Sequence, residues 1–305
     1  MTTTYNCISE DQRALGLEHA QRAIGEKKCV VFPTDTVYGI AADAFSPQAV
    51  TMLLASKGRS RTMPPPVLIP RINALDGLAT DVSADARKLA AAFWPGGLTL
   101  ILHAQPSLDW DLGETQGTVA LRMPADEVAQ ELLTLTGPLA VSSANRTGQP
   151  PAQTAAEARA QLAESVEVYL EGGFRPLEGT DAVPSTIVDA TGTLLRVVRN
   201  GAVSLEQLRE HVPGVLGLGE IPMAEPEEEP EEVALPAESA ADEPEADESA
   251  AEEPAAEKAA DEPEADGPAA EKAADEPAAE EPAAEEPDAE KAADEPAAPV
   301  RETDG

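Results

Sequence analysis

The sequence changes character at a single point, and that point limits what can fold. From Ile221 to Gly305 the chain is built almost wholly of Ala, Glu, Asp and Pro, in blocks such as ADEPEAD, AAEKAADEP and AAEEP. Ala and Glu favour helix, but a Pro every few residues breaks each attempt. The segment holds no Phe, Tyr or Trp, so too little apolar surface exists to offset the entropy of ordering. It carries 32 of the chain's 57 acidic residues and only 4 of its 21 basic ones. Residues 221–305 are therefore expected to be a disordered acidic low-complexity tail, extended by self-repulsion. Its repeats are too short and too polar to stack as a solenoid. It reads as a solubilising appendage, or more sharply as a tether for a basic partner or an anionic decoy for a basic cleft of the body itself.

Residues 1–220 are a different polymer. They hold 25 acidic and 17 basic residues, a net charge of −8 against −36 for the whole chain. A body of this size can bury a real core as one domain. The acidic balance excludes nucleic-acid binding by bulk electrostatics. The start, MTTTYNCISEDQR, has no apolar signal segment, and no apolar run approaches the roughly 20 residues of a membrane span. Cys7 and Cys29 form neither a close pair nor a metal-ligand spacing, so reduced thiols in a cytoplasmic protein are expected.

Helix signals recur along the body. Ser9-Glu10-Asp11-Gln12 has the form of a capping box before a helix over about 11–25, with Leu15, Ala20, Ala23 and Ile24 as its inner face. Ser46-Pro47 opens a second helix, and Ser83 with Asp85 a third. Residues 125–136 and 154–163 are read as helices, and Ser204-Leu205-Glu206-Gln207 caps the last one. Short apolar runs over 29–33, 67–69, 98–102, 119–122, 139–142, 166–170, 186–189 and 194–198 read as strands. Helices and strands intermix, and some neighbouring strands have short connections. This predicts an α/β domain with a twisted, mixed sheet, its polar loops at the strand ends where such sheets place ligands.

Familiar catalytic signatures are missing. There is no phosphate-binding G-x-x-x-x-G-K-[ST] loop, no G-x-G-x-x-G, no G-x-S-x-G elbow and no zinc spacing. His19, His103 and His211 are scattered and read as surface or packing residues, which disfavours a Ser-His-Asp hydrolase. What remains are hydroxyl-rich and basic loops. Pro33-Thr34-Asp35-Thr36-Val37-Tyr38-Gly39 follows the first core strand and can hydrogen-bond a small polar ligand, or simply turn the chain. Lys57-Gly58-Arg59 reads equally as a helix C-terminus complemented by cations and as a phosphate clamp. Ser142-Ser143-Ala144-Asn145-Arg146-Thr147-Gly148 can present hydroxyls and backbone N–H groups to a phosphate, as a nest does, or be only a turn. Pro184-Ser185-Thr186 and Val198-Arg199-Asn200-Gly201 complete the set. Arg122 closes an apolar strand, an unusual place for a guanidinium without a purpose.

In this order and spacing, these segments resemble the YrdC-like family, the L-threonylcarbamoyladenylate synthases of tRNA modification. PTDTVYG matches that family's opening signature, KGR its K-x-R motif and Ser143-Ala144-Asn145 its S-x-N motif. The blocks 94–99, 119–124, 184–189 and 199–201 also fall in place, so the resemblance covers about 10–212. It implies a twisted mixed sheet with flanking helices around a concave basic cleft. It implies that L-threonine, bicarbonate and ATP give threonylcarbamoyl-AMP and pyrophosphate. A partner transferase machinery then modifies adenosine 37 of tRNAs reading ANN codons. By motif match, Lys57, Arg59, Thr118, Ser143, Asn145 and Arg199 would hold ATP, with Lys57 and Arg59 stabilising polyphosphate charge. Thr36, Tyr38, Arg122 and Ser185 would hold threonine. ATP would be a substrate accompanied by Mg²⁺, with no prosthetic group, no protein-held metal and no membrane contact; tRNA or RNA would be a further partner. The chain departs from the family pattern at Met63, Leu68 and Pro151, where polar residues are usual. An alternative reading is an RNA- or ribosome-binding paralogue with little synthase activity; a third is a related acyl-adenylate former using carbamoyl phosphate. Longer family members add a second folded domain that the acidic tail does not resemble.

Overall fold

The computed structural model describes residues 2–177 and 183–221. Apart from Ile221, the expected tail lies outside the described residues. β1 (Thr3–Asn6) leads into α1 (Glu10–Gly25), and β2 (Val30–Phe32) and β3 (Gly39–Asp43) form a hairpin. There follow α2 (Pro47–Lys57), β4 (Val67–Leu68), α3 (Leu75–Leu78), β5 (Ala79–Thr80) and α4 (Ala84–Phe93). β6 (Leu98–Ala104) and β7 (Thr118–Arg122) precede α5 (Glu127–Thr136) and β8 (Leu139–Ser143). α6 (Ala155–Leu162), β9 (Val168–Glu171), β10 (Thr186–Asp189), β11 (Arg196–Arg199) and α7 (Leu205–His211) complete the order.

Local chemistry accounts for most helix ends. Ser46 accepts from Ala49 N with Pro47 at the first helical position, and Gly58 closes α2 in the left-handed region at φ 64°. Ser83 and Thr154 cap α4 and α6, and Ser204 with Gln207 makes a full capping box. The expected box at Ser9 does not form. Ser9 stands at the N-cap without a side-chain bond, and the turn from β1 uses Asn6 Oδ1, which accepts from Ile8 N. Leu15 is also not on the inner face. It is exposed, because the buried row of α1 runs through Gly16, Leu17, Ala20, Ala23 and Ile24, three or four residues apart.

The strands form one mixed sheet in the order β1-β9-β2-β3-β8-β4-β7-β6-β10-β11, with β5 paired to β6 off this path. Pairs β1/β9, β9/β2, β4/β7 and β6/β10 are parallel and the other neighbours antiparallel. The expected twisted α/β sheet with flanking helices is what forms. Its two faces are covered unequally. On one face α2, α4, α6 and α7 pack residues such as Leu53, Leu89, Ala158 and Leu208 over Ile40, Leu100 and Leu121. On the other, α1 and α5 cover Val30, Phe32, Ala41, Leu139 and Val168. Beyond Leu68 none of the described helices covers that second face, and there the cavity lies. Among the described residues, no helix is long and apolar enough to cross a membrane.

Candidate active site

The cavity is the uncovered part of the sheet's second face. Side chains on a strand alternate between faces, and the alternate residues supply most of its floor: Thr99 and Ile101 of β6, Thr118, Ala120 and Arg122 of β7, Val141 and Ser143 of β8, with Val119 and Ser142 of the other parity also reaching it. The intervening Leu98, Leu100 and Leu121 are buried in the opposite core. Its volume is about 520 Å³, within the range of small-molecule sites. The β2–β3 hairpin loop, the 59–66 segment and the 105–117 loop raise its walls.

Arg122 is 6% exposed and fully engaged on one side. Its Nε donates to Gly96 O at 2.9 Å, Nη1 to Thr36 Oγ1 at 3.0 Å and Nη2 to Asp35 Oδ1 at 2.7 Å. Thr34 shapes this loop: its hydroxyl accepts from the N–H groups of Thr36 and Val37 and donates to Val37 O at 2.6 Å. Across the cavity, Arg199 donates through Nε and Nη2 to Ser185 O and through Nη2 to Ser185 Oγ at 2.9 Å. Ser185 Oγ in turn lies 2.8 Å from Thr99 Oγ1. Arg59 donates from Nη1 to Ser142 Oγ at 3.0 Å, while its buried Nε has no hydrogen-bond partner among the described residues. Desolvation, then the like charges of Arg122 and Arg59, lower the Arg199 pKa; desolvation lowers that of Arg59. Among the described residues Asp35 pairs with Arg122 alone of the three guanidinium groups, so the cavity holds an excess of positive charge. Such a wall suits a polyanion.

Nine of the ten expected site residues line this one cavity: Thr36, Tyr38, Arg59, Thr118, Arg122, Ser143, Asn145, Ser185 and Arg199. Lys57 does not. It lies behind the wall, 3% exposed, because its ammonium is drawn to main-chain oxygens of Ser143 and Asn145. Tyr38 borders the cavity without offering its phenol. The hydroxyl sits 2.7 Å from both Glu171 Oε1 and Gly173 O on the far side, and burial with the Glu171 contact raises its pKa. The 142–148 loop is not a free anion nest either. Ala144 N donates to Tyr38 O, Asn145 N to Ser143 O, Arg146 N to Gln161 Oε1 and Thr147 N to Lys57 O. Both amide hydrogens of Asn145 serve Arg146 O and Gln149 O. The turn reading of this loop holds, and side chains rather than N–H groups face the cavity.

Sequence reasoning passed over Asp35, Thr99 and Thr115 as site residues. A threonine inside the apolar run Leu98-Thr99-Leu100 was the available signal, since an alternate hydroxyl marks a face turned to water or ligand. Met63, Leu68 and Pro151, the departures from the family pattern, all line the cavity and join Pro64, Pro65, Pro66 and Leu112 in an apolar wall. Among the described residues no group of three His, Cys, Asp or Glu could hold a metal ion.

The model of the Sua5–YciO–YrdC family, described as "Telomere recombination", matches residues 22–201. The chain belongs to this family. A protein of Mycobacterium tuberculosis (strain H37Rv) is 50% identical over 210 residues, 69% of this chain and 95% of that one. The threonylcarbamoyl-AMP synthase of Pseudomonas fluorescens (strain Pf0-1) is 32% identical over 182 residues, covering 59% of this chain and 96% of the relative. That of Pyrococcus abyssi (strain GE5 / Orsay) is 35% identical over 188 residues, but this chain spans only 54% of its length. Among solved structures, P. abyssi Sua5 complexed with L-threonine matches with a TM-score of 0.65 at 32% identity, over 71% of this chain and 62% of that one. Escherichia coli YciO, at 20% identity and a TM-score of 0.59, shares the fold, over 68% of this chain and all of its own. The Sua5–YciO–YrdC match covers every lining residue named above and stops at Gly201, which closes the Arg199 corner.

Proposed function

We propose that this chain is a threonylcarbamoyl-AMP synthase, condensing L-threonine, bicarbonate and ATP. One observation carries the reading: three guanidinium groups share the cavity on this sheet face, and among the described residues one of them has a carboxylate partner. Arg122 is tempered by Asp35 and sits with Thr36, while Arg59 and Arg199 are held by Ser142 and Ser185. Family relatives named as synthases, and one solved with L-threonine, support it. They also disfavour the RNA- or ribosome-binding alternative.

In this reading Arg59 and Arg199, with Thr118 and Ser143 at the wall, take the triphosphate, while Asn145, its amide hydrogens spent on Arg146 O and Gln149 O, shapes the wall beside them. Thr36, Arg122 and Ser185 take threonine, with the remaining guanidinium N–H groups of Arg122 on its carboxylate. The threonine amine and bicarbonate give a carbamate with loss of water. A carbamate oxygen then attacks the α-phosphorus, forming the carbonyl–O–phosphorus bond and expelling pyrophosphate. The carbamate is already an anion, so no strong base is needed. Positioning and neutralisation of phosphate charge do the catalysis. Mg²⁺ would accompany ATP and offset phosphate charge; the wall offers hydroxyls rather than a carboxylate cage to hold it. The apolar wall of Met63, Pro64–Pro66 and Leu68 narrows the site without adding polar contacts. The product would pass, in the cytoplasm, to a transferase that modifies tRNA. The test is pyrophosphate release by the purified full chain: it should require threonine and bicarbonate together. Release that ignores either omission would contradict the reading.

A further inference from the structure

Lys57 ends α2 and is only 3% exposed. Its ammonium donates to Ser143 O, to Asn145 O at 2.6 Å and to Asn145 Oδ1 at 3.3 Å. An ammonium has three N–H donors, and three oxygens take them, so none is left for a ligand. The same residue's main-chain oxygen accepts from Thr147 N at 2.9 Å. One side chain and its own carbonyl thus clamp both ends of the 143–147 segment, which carries Ser143 and Asn145 to the cavity wall. We propose that Lys57 is a positioning residue: it grips this segment from behind and places a positive charge beneath the triphosphate site, without touching the nucleotide. The proposal rests on the synthase reading for the identity of the anion.

The titratable group facing Lys57 is Arg59, on the segment after α2; β8 and the turn after it contribute neutral oxygens. Burial, with the like charge of Arg59 second, lowers the Lys57 pKa to about 8. Above that pH the ammonium loses its charge and one donor, so the grip and the attraction for ATP both weaken.

The test compares wild type, Lys57→Met and Lys57→Arg as full chains. Amide hydrogen exchange is followed without ligand, and binding is measured with ATP plus magnesium chloride and with L-threonine alone. In Lys57→Met the amides of 143–149 should exchange about tenfold faster while β6 and β7 are unchanged, and the Kd for ATP should rise about tenfold with threonine affinity kept within about twofold. Arginine should not rescue, because the slot admits an ammonium and not a planar fork. Unchanged exchange in Lys57→Met, or full rescue by Lys57→Arg, would overturn the proposal in favour of direct phosphate contact. Should Lys57→Met fail to fold, Lys57→Gln takes its place: the amides of 143–149 should still exchange faster than in wild type without ligand, and unchanged exchange would overturn the clamp. Wild type that binds no ATP, with faster exchange still seen in Lys57→Met, would sink the synthase reading and leave the clamp standing.

Discussion

Gly201 lies against the chain that carries Ser185. A Cβ there would stand 2.2 Å from Pro184 O and 2.4 Å from Ser185 C, both backbone atoms that cannot swing aside. Gly201→Ala should therefore push the Ser185 corner outward, and with it the Arg199 guanidinium that Ser185 holds. A displacement of about an ångström at a positioning contact costs on the order of a hundredfold in rate. Steady-state kinetics should show that drop; activity within about twofold of wild type would mean the corner does not position the site. At this scale the sequence shows which residue types meet, but not which way they point. PTDTVYG, KGR and S-x-N are legible as a ligand-binding set. That Tyr38 sends its hydroxyl to Glu171, and Lys57 its ammonium to Ser143 and Asn145, depends on partners distant in the chain. Asp35 is visible in its motif, yet its pairing with Arg122 spans strands that only the sheet brings together.

Single elements here are held by buried polar contacts as well as by apolar faces. Asp126 caps α5 through Oδ1, which accepts from Val128 N and Ala129 N, and its Oδ2 pairs with Arg175 Nε at 2.7 Å. Both side chains are almost completely buried, Asp126 at 3% and Arg175 at 8% exposure. Asp126→Ala removes the cap and strands the Arg175 cation, so a loss of about 3–5 kcal/mol is expected in urea unfolding. Asp126→Asn, which keeps an acceptor for the cap, should lose less than Asp126→Ala. A loss under about 1 kcal/mol for Asp126→Ala would contradict this. Element starts were readable where a cap and a pattern coincided, as at Ser46, Ser83 and Ser204. β3 was not, because Gly39-Ile40-Ala41-Ala42 has little of the β-branched signature and owes its strand to pairing with β2 and β8. Ser9 shows the converse: a cap sequence whose side chain the preceding turn leaves unused.

Over the whole molecule, function follows from a sheet with one face incompletely covered. α1 and α5 stop short, and the bare part of the sheet becomes a polar and apolar cavity. Class and mixed character were legible from intermixed patterns. The strand order was not, since pairs such as β1/β9 and β6/β10 join residues far apart in the chain. The composition break leads us to expect that residues 1–220 fold alone, with a thermal midpoint within about 2 °C of the full chain; a large drop would show that the acidic segment contributes to the fold. The central claim is that this one concave face joins threonine, bicarbonate and ATP. Incubating the full chain with ATP, magnesium chloride, L-threonine and carbon-13 bicarbonate, then reading the adducts by mass spectrometry, tests it most directly. The account predicts labelled threonylcarbamoyl-AMP in wild type, and a rate lower by about 10²–10³ in Arg59→Ala, where a guanidinium of the triphosphate site is gone. No labelled adduct from a folded wild-type protein, or an undiminished rate in Arg59→Ala, would contradict it.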